Sequence, residues 1–248
     1  MSVYRNKKAK CGEVMYDAKL DERTHAHFRP GNSELGNGIW NYSTLAGEHP
    51  MVLSNGVVLT EFLGTCQGCC EHCEHDCYAR NYTMRYHNTC IPAYIDNTLL
   101  LRHKRDDFFK EMKNLFYYNM VSCFRPHISG EFIDYDHFER IIKFTTTEPD
   151  CRFYFYTAKK KFILDYLASG KDFPKNLIPW ASCYKPEEGD EVYPFRCYVD
   201  DGKNPDPRLK GFFHCPKNSP DGRKTGVTCS TCKVCPLGKV NVVVFWKH

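Results

Sequence analysis

The sequence predicts an α/β protein in which strands alternate with helices along a mostly parallel sheet, open or curved toward a barrel. A loop-rich, cysteine-rich C-terminal extension follows that core. Apolar patterning between residues 121 and 183 switches twice from β-like runs to helical spacing. A cysteine-dense loop follows directly on a β-like run closed by Gly64. After Tyr184 the composition shifts to proline, glycine, aspartate and lysine.

Residues 1–50 carry Pro30, Gly31, Asn32, Ser33, Gly36 and Gly38 with little periodicity, so an irregular arm wrapping the core is expected there. The regular core is expected over residues 51–184 and the extension over 185–248. Residues 56–64 read as the first strand. From Tyr78 the pattern suits a helix, and Asp106 to Tyr118 carries the clear helical stripe Phe108, Phe109, Met112, Leu115 and Phe116. Val121 to Ile128 reads as a strand ending at Ser129-Gly130-Glu131, and Asp134 to Phe144 as a helix. Cys151 to Thr157 is strand-like, Lys160 to Ala168 is helical with Gly170 as its stop, and Leu177 to Cys183 is a further apolar run. Residues 185–238 read as loops. Lys239 to Trp246 reads as a strand returning to the main sheet.

A chain of 248 residues can bury a sizeable core without disulfides. Lysine and arginine (34) exceed aspartate and glutamate (30), a net charge of +4, far below the footprint of a dedicated nucleic-acid binder. The N-terminal residues lack the apolar run of a secretory signal, and no apolar stretch approaches the roughly 20 residues of a membrane span. A soluble, cytoplasmic protein is expected. Fifteen cysteines are then poorly explained as disulfides, because the cytosol is reducing and the count is odd. Metal binding accounts for them better.

Two windows hold most of the cysteines. The first, Cys66 to Cys77, also contains Cys69, Cys70 and Cys73 with His72 and His75 among them. A loop at the end of a strand lets several sulfurs converge on one point, as an iron–sulfur cluster requires. Four of these ligands would equally satisfy tetrahedral zinc, although zinc knuckles are usually split along the chain. The second window is His214-Cys215-Pro216 followed by Cys229-Ser-Thr-Cys232-Lys-Val-Cys235-Pro236. Three closely spaced cysteines and a remote fourth suit either a fully ligated 4Fe-4S cluster or a closed zinc site. Lys210, Lys217, Arg223, Lys224 and Lys233 nearby would suit an anionic group. The remaining six, Cys11, Cys90, Cys123, Cys151, Cys183 and Cys197, read as small buried apolar residues. Arg125, His127 and Ser129 share a face if the strand continues through them, as do Tyr154 and Tyr156.

Cys66-x3-Cys70-x2-Cys73 resembles the cluster loop of radical S-adenosylmethionine (SAM) enzymes. A closer likeness rests on Thr65-Cys66, Cys73, Cys77-Tyr-Ala79, Arg125-Pro-His-Ile-Ser-Gly-Glu131, Phe153-Tyr-Phe-Tyr-Thr157 and the cysteine-rich tail. These resemble the phage-associated gene product eighty-eight domain, a family similar to radical SAM proteins, over roughly residues 50–240. The resemblance implies a partial (β/α) barrel of the radical SAM type in a bacterial or phage-infected cell. It implies a first 4Fe-4S cluster on Cys66 and Cys73, with Cys77 as third ligand in one register and Cys70 in the other, Cys69 being a further alternate. Ser129, Gly130 and Glu131 would receive the amino group of SAM, with Arg125 and His127 facing cofactor or substrate. Cys215, Cys229, Cys232 and Cys235 would bind an auxiliary cluster, or zinc.

The implied activity is reductive cleavage of SAM to a 5′-deoxyadenosyl radical that abstracts hydrogen from an unidentified substrate, with flavodoxin or ferredoxin as reductant. The competing expectation is a zinc-stabilised module binding nucleic acid or protein without catalysis.

Overall fold

The computed structural model describes residues 20, 22, 24–47, 50–52, 58–68, 77, 79, 87–219, 221 and 223–247. Expectations for Cys11, Cys69, Cys70, His72, Cys73 and His75, and for most of the helix after Tyr78, lie outside these. Along the chain come β1 (Arg29–Asn32), β2 (Gly36–Asn41), β3 (Pro50–Val52), β4 (Val58–Leu63), α1 (His87–His103), α2 (Arg105–Tyr118) and β5 (Cys123–Arg125). Then follow α3 (Tyr135–Thr147), β6 (Arg152–Thr157), α4 (Lys160–Ala168), β7 (Leu177–Ser182), β8 (Phe195–Asp200), β9 (Phe213–His214), α5 (Cys229–Cys232), α6 (Val234–Leu237) and β10 (Val242–Trp246). No helix among the described residues is long and apolar enough to cross a membrane.

The chain divides into two compact units. One comprises Met1–Phe28, Tyr42–Met120 and His127–His137, the other Arg29–Asn41, Val121–Pro126 and Phe138–His248.

The second unit is built on an open eight-stranded sheet of order β1-β2-β5-β6-β7-β8-β10-β9. β1 pairs antiparallel with β2, and every later neighbour is parallel. From β2 to β10 the spatial order follows the chain, except that β9 lies outside β10 at the edge. The winding therefore runs in one direction from β2 to β8 and turns back once, from β9 at the edge to β10.

The alternation in β6 decides what covers each face. Phe153 and Phe155 meet α3, with ring centroids 6.3 Å from Phe144 and 5.7 Å from Phe138. Phe138 also lies 5.7 Å from Phe162 of α4, so aromatic burial holds both helices to that face. Tyr156 turns the other way, stacking on Trp180 at 5.9 Å and meeting Phe245 edge-on at 5.6 Å. The short helices α5 and α6 pack against β2 and against β6 and β7 respectively. Trp180 Nε1 donates to the Cys235 carbonyl at 3.4 Å.

In the first unit β3 and β4 form a separate two-stranded antiparallel sheet. α1 and α2 pack together, and Tyr42, Phe28 and Phe108 form an aromatic cluster, Tyr42 and Phe108 lying 5.0 Å apart.

Three expectations are corrected here. Residues 29–41, assigned to an irregular arm, supply two strands of the main sheet. Their glycines are hairpin and docking residues: a Cβ on Gly31 would meet the Gly36 carbonyl oxygen at 2.0 Å. The run ending at Gly64 is a strand, yet among the described residues it pairs with β3 alone, so β2 opens the parallel sheet. Alternation marks a strand without naming its partner. Residues 185–238, read as loops, contain β8 and β9, and β8 is central enough to pair on both sides. The helices at Asp106, Asp134 and Lys160, the strands at Cys151 and Leu177, and the return of the last strand to the sheet agree with the sequence reading.

Candidate functional site

The head of the first cysteine loop is tied to the Ser-Gly-Glu turn. Thr65, fully buried immediately before Cys66, donates its hydroxyl to the Leu45 carbonyl at 2.9 Å. With its proton committed there, the same oxygen accepts from the Thr44 hydroxyl at 2.9 Å and from the Glu131 backbone N–H at 2.8 Å. Thr44 N–H donates to the Ser129 carbonyl at 2.9 Å. Gly130 sits between the two threonines at φ +81°, where a Cβ would lie 2.0 Å from Thr44 Oγ1 and 2.6 Å from Thr65 Oγ1. Only glycine fits both the dihedral and the space.

Glu131 is buried, and its Oε1 accepts from the Phe132 N–H at 2.8 Å. Tyr42, fully buried nearby, has its phenol pushed well above the ordinary range, first by desolvation and then by the Glu131 charge. The Tyr42 hydroxyl lies 3.1 Å from Nε2 of both His127 and His137. His137 Nδ1 accepts from the Ile133 N–H at 3.3 Å, which leaves the proton of a neutral His137 on Nε2. His137 then donates to Tyr42, and Tyr42 donates to His127, a directed chain of buried polar groups.

Of the first cluster's cysteines, Cys66 and Cys77 are described, both half-buried. Cys66 N–H donates to the Gly47 carbonyl at 3.3 Å. Arg125, His127 and Ser129 do not share one strand face. β5 ends at Arg125, and Pro126 followed by left-handed His127 at φ +55° breaks the period of two. Arg125 falls in the second unit, and His127, Ser129, Gly130 and Glu131 in the first.

The second unit carries the other site. Cys229 N–H donates to the Glu34 carbonyl at 3.4 Å and Ser230 N–H to the Leu35 carbonyl at 2.7 Å, so the β1–β2 turn anchors α5. Gly36, at φ +78°, allows this approach, since a Cβ there would lie 2.1 Å from Ser230 Oγ. Lys233 between α5 and α6 is left-handed at φ +58°, reversing the chain between Cys232 and Cys235. Burial raises the Cys215 thiol, which also feels Cys229 and Cys232. Burial likewise pushes Cys235 up to about 12, against the opposing pull of a hydrogen bond from Tyr156. Among the described residues, no three of these sulfurs lie within 4.8 Å of one another.

Sequence reasoning missed two participants, Cys123 and Tyr154, and assigned a third, Arg125, to the first site. Cys123, assigned to packing, is pushed up to about 12 by burial and then by neighbouring Cys229, so it borders the cysteine site. The Tyr154 hydroxyl is buried, has no hydrogen-bond partner among the described residues, and feels Arg125, Cys229, Cys123 and Cys235. The Arg125 guanidinium lies 4.7 Å from the Tyr156 ring centroid and 5.7 Å from that of Tyr154. Period two along β5 and β6 puts Cys123 with Arg125 and Tyr154 with Tyr156, and that signal was present in the sequence. The basic residues expected around the site are partly neutralised: Lys217 and Lys224 pair with Glu34, and Arg223 with Asp221.

No curated protein and no solved structure matches this chain. The family model described as Gene product 88 matches residues 28–236, which takes in β1, both described ends of the first cysteine loop, the Ser-Gly-Glu turn and all four cysteines of the second site. The chain belongs to the Gene product 88 family.

Proposed function

We propose that the chain is an iron–sulfur enzyme of the radical SAM type, and the observation that carries this reading is the hydrogen-bonded junction of Thr65 with Glu131. The residue preceding the first loop cysteine and the residue bearing the turn's carboxylate share one buried oxygen. A cluster on this loop and an ammonium group at Glu131 would therefore be neighbours. The donor chemistry fits: thiolates suit iron, and a buried carboxylate beside a glycine turn suits an ammonium. Six parallel strands, β2, β5, β6, β7, β8 and β10, run in chain order, which supports a partial (β/α) barrel.

In this reading Cys66, Cys73 and Cys77 hold the first cluster, with Cys70 or Cys69 as alternates. Glu131 holds the SAM ammonium, and Gly130 keeps the backbone close enough for carbonyls to assist. A 4Fe-4S cluster bound there supplies the electron that cleaves SAM reductively, and a flavodoxin or ferredoxin supplies it in turn. Cys215, Cys229, Cys232 and Cys235 hold an auxiliary cluster. Four thiolates of this kind would serve a fully ligated cluster, with a closed zinc site as the alternative.

Anaerobic purification followed by iron, sulfide and zinc analysis tests the proposal. Iron and sulfide in equal amounts are expected, with an electron paramagnetic resonance signal that changes on adding SAM in the wild type and not in Glu131→Gln. A colourless protein holding stoichiometric zinc and no iron after anaerobic reconstitution would overturn it.

A further inference from the structure

A cluster of metal-ligating side chains lies in the first unit outside both cysteine sites. His25, His27 and Asp96 each offer one donor atom, and these atoms lie within 4.8 Å of one another. His27 Nε2 is 2.8 Å from Asp96 Oδ2, with both side chains 27% exposed. The rings of His25 and His27 are 4.2 Å apart between centroids. Two imidazoles and one carboxylate form the donor set that borderline divalent transition metals prefer, and that leaves coordination positions open.

The arrangement is held from behind. Ala26 is buried, and its N–H donates to Glu111 Oε2 at 2.8 Å. The His27 N–H donates to Asn97 Oδ1 at 2.8 Å, while Asn97 Nδ2 donates to the His27 carbonyl at 3.1 Å and to the Ser43 carbonyl at 2.9 Å. Asn97 is 1% exposed and adjoins Asp96 on α1, so one helical turn fixes both the carboxylate and the backbone carrying the imidazoles. With Ala26 buried between them, His25 and His27 bring their rings together. Backbone anchoring of this kind preorganises ligands before any ion arrives.

We propose that His25, His27 and Asp96 bind a divalent transition-metal ion, zinc or a close analogue, at a three-ligand site with open positions for water or a ligand. The site is independent of the cysteines and of the radical SAM reading. Cobalt(II) is the probe, because a nitrogen–oxygen site gives ligand-field bands without the sulfur-to-cobalt charge transfer of thiolate sites.

The full-length chain, titrated anaerobically with cobalt(II), is expected to bind one equivalent without that charge transfer. Zinc is expected to displace it. His25→Ala and Asp96→Asn are each expected to weaken that equivalent at least tenfold, while His103→Ala on the same helix leaves it intact. His25 is exposed, so its replacement tests the ligand without disturbing the core. The proposal fails if all bound cobalt shows sulfur charge transfer, or if His25→Ala and Asp96→Asn bind cobalt as the wild type does.

Discussion

At the scale of single residues, Thr65 and Gly130 dominate the first site. Thr65 uses its one donor and both acceptor positions on partners that are all buried. Thr65→Val keeps the shape and strands the Glu131 N–H, so a loss of about 1–3 kcal/mol in urea denaturation is expected. Gly130→Ala combines a left-handed dihedral with two close oxygens, and is expected to lower stability by at least about 1–2 kcal/mol. If the Glu131 turn binds SAM, it also weakens SAM binding in equilibrium dialysis. The Ser-Gly-Glu turn was legible because glycine before an acid at a strand end is a local pattern. Its partners Thr44 and Thr65 were not, since the Thr65–Glu131 bond spans 66 residues and an isolated threonine announces no partner.

Elements show where local pattern and tertiary context part. α2 and α3 were readable from apolar residues at helical spacing, and the bond of Arg105 to Asp134 and Asp136 was not. Arg105, at the start of α2, bonds Asp134 through both terminal nitrogens at 2.9 and 2.7 Å and reaches Asp136 at 2.5 Å. Asp134 in turn accepts the His137 N–H at 2.8 Å, capping the first turn of α3. Lysine cannot reproduce the fork, so Arg105→Lys is expected to cost about 1–2 kcal/mol in denaturant titration. β5 was read as running to Ile128 and stops at Arg125. Apolar alternation continued past the strand, but proline has no N–H for the ladder and His127 turns left-handed. The hairpin β1–β2 escaped notice for a related reason, its glycine content resembling a loop until α5 is seen seated against Gly36.

For the whole molecule, buried thiols tie stability to pH. Burial pushes Cys197 up to about 12, partly offset by its hydrogen bond to Ser182, and burial pushes Cys183 up to about 12 as well. An unfolded thiol ionises near 9.0, so above that pH the unfolded chain sheds protons that the folded chain keeps. Stability from these groups is full below about pH 9 and falls as pH rises toward about 12. Urea midpoints are expected to drop between about pH 9 and pH 11, and Cys197→Ala is expected to flatten that slope.

By itself the sequence determined the α/β class, the order of the core elements after residue 105, and the two cysteine windows. Each of these is written in residues close together along the chain, where periodicity and spacing act directly. Tertiary structure alone decided that β2 opens the parallel sheet, that Thr65 and Glu131 share an oxygen, that Cys123 and Tyr154 border the cysteine site, and that His25 and His27 meet Asp96. Those pairings join positions tens of residues apart. Burial and hydrogen-bond satisfaction across the folded chain select them, and neither leaves a mark in local composition.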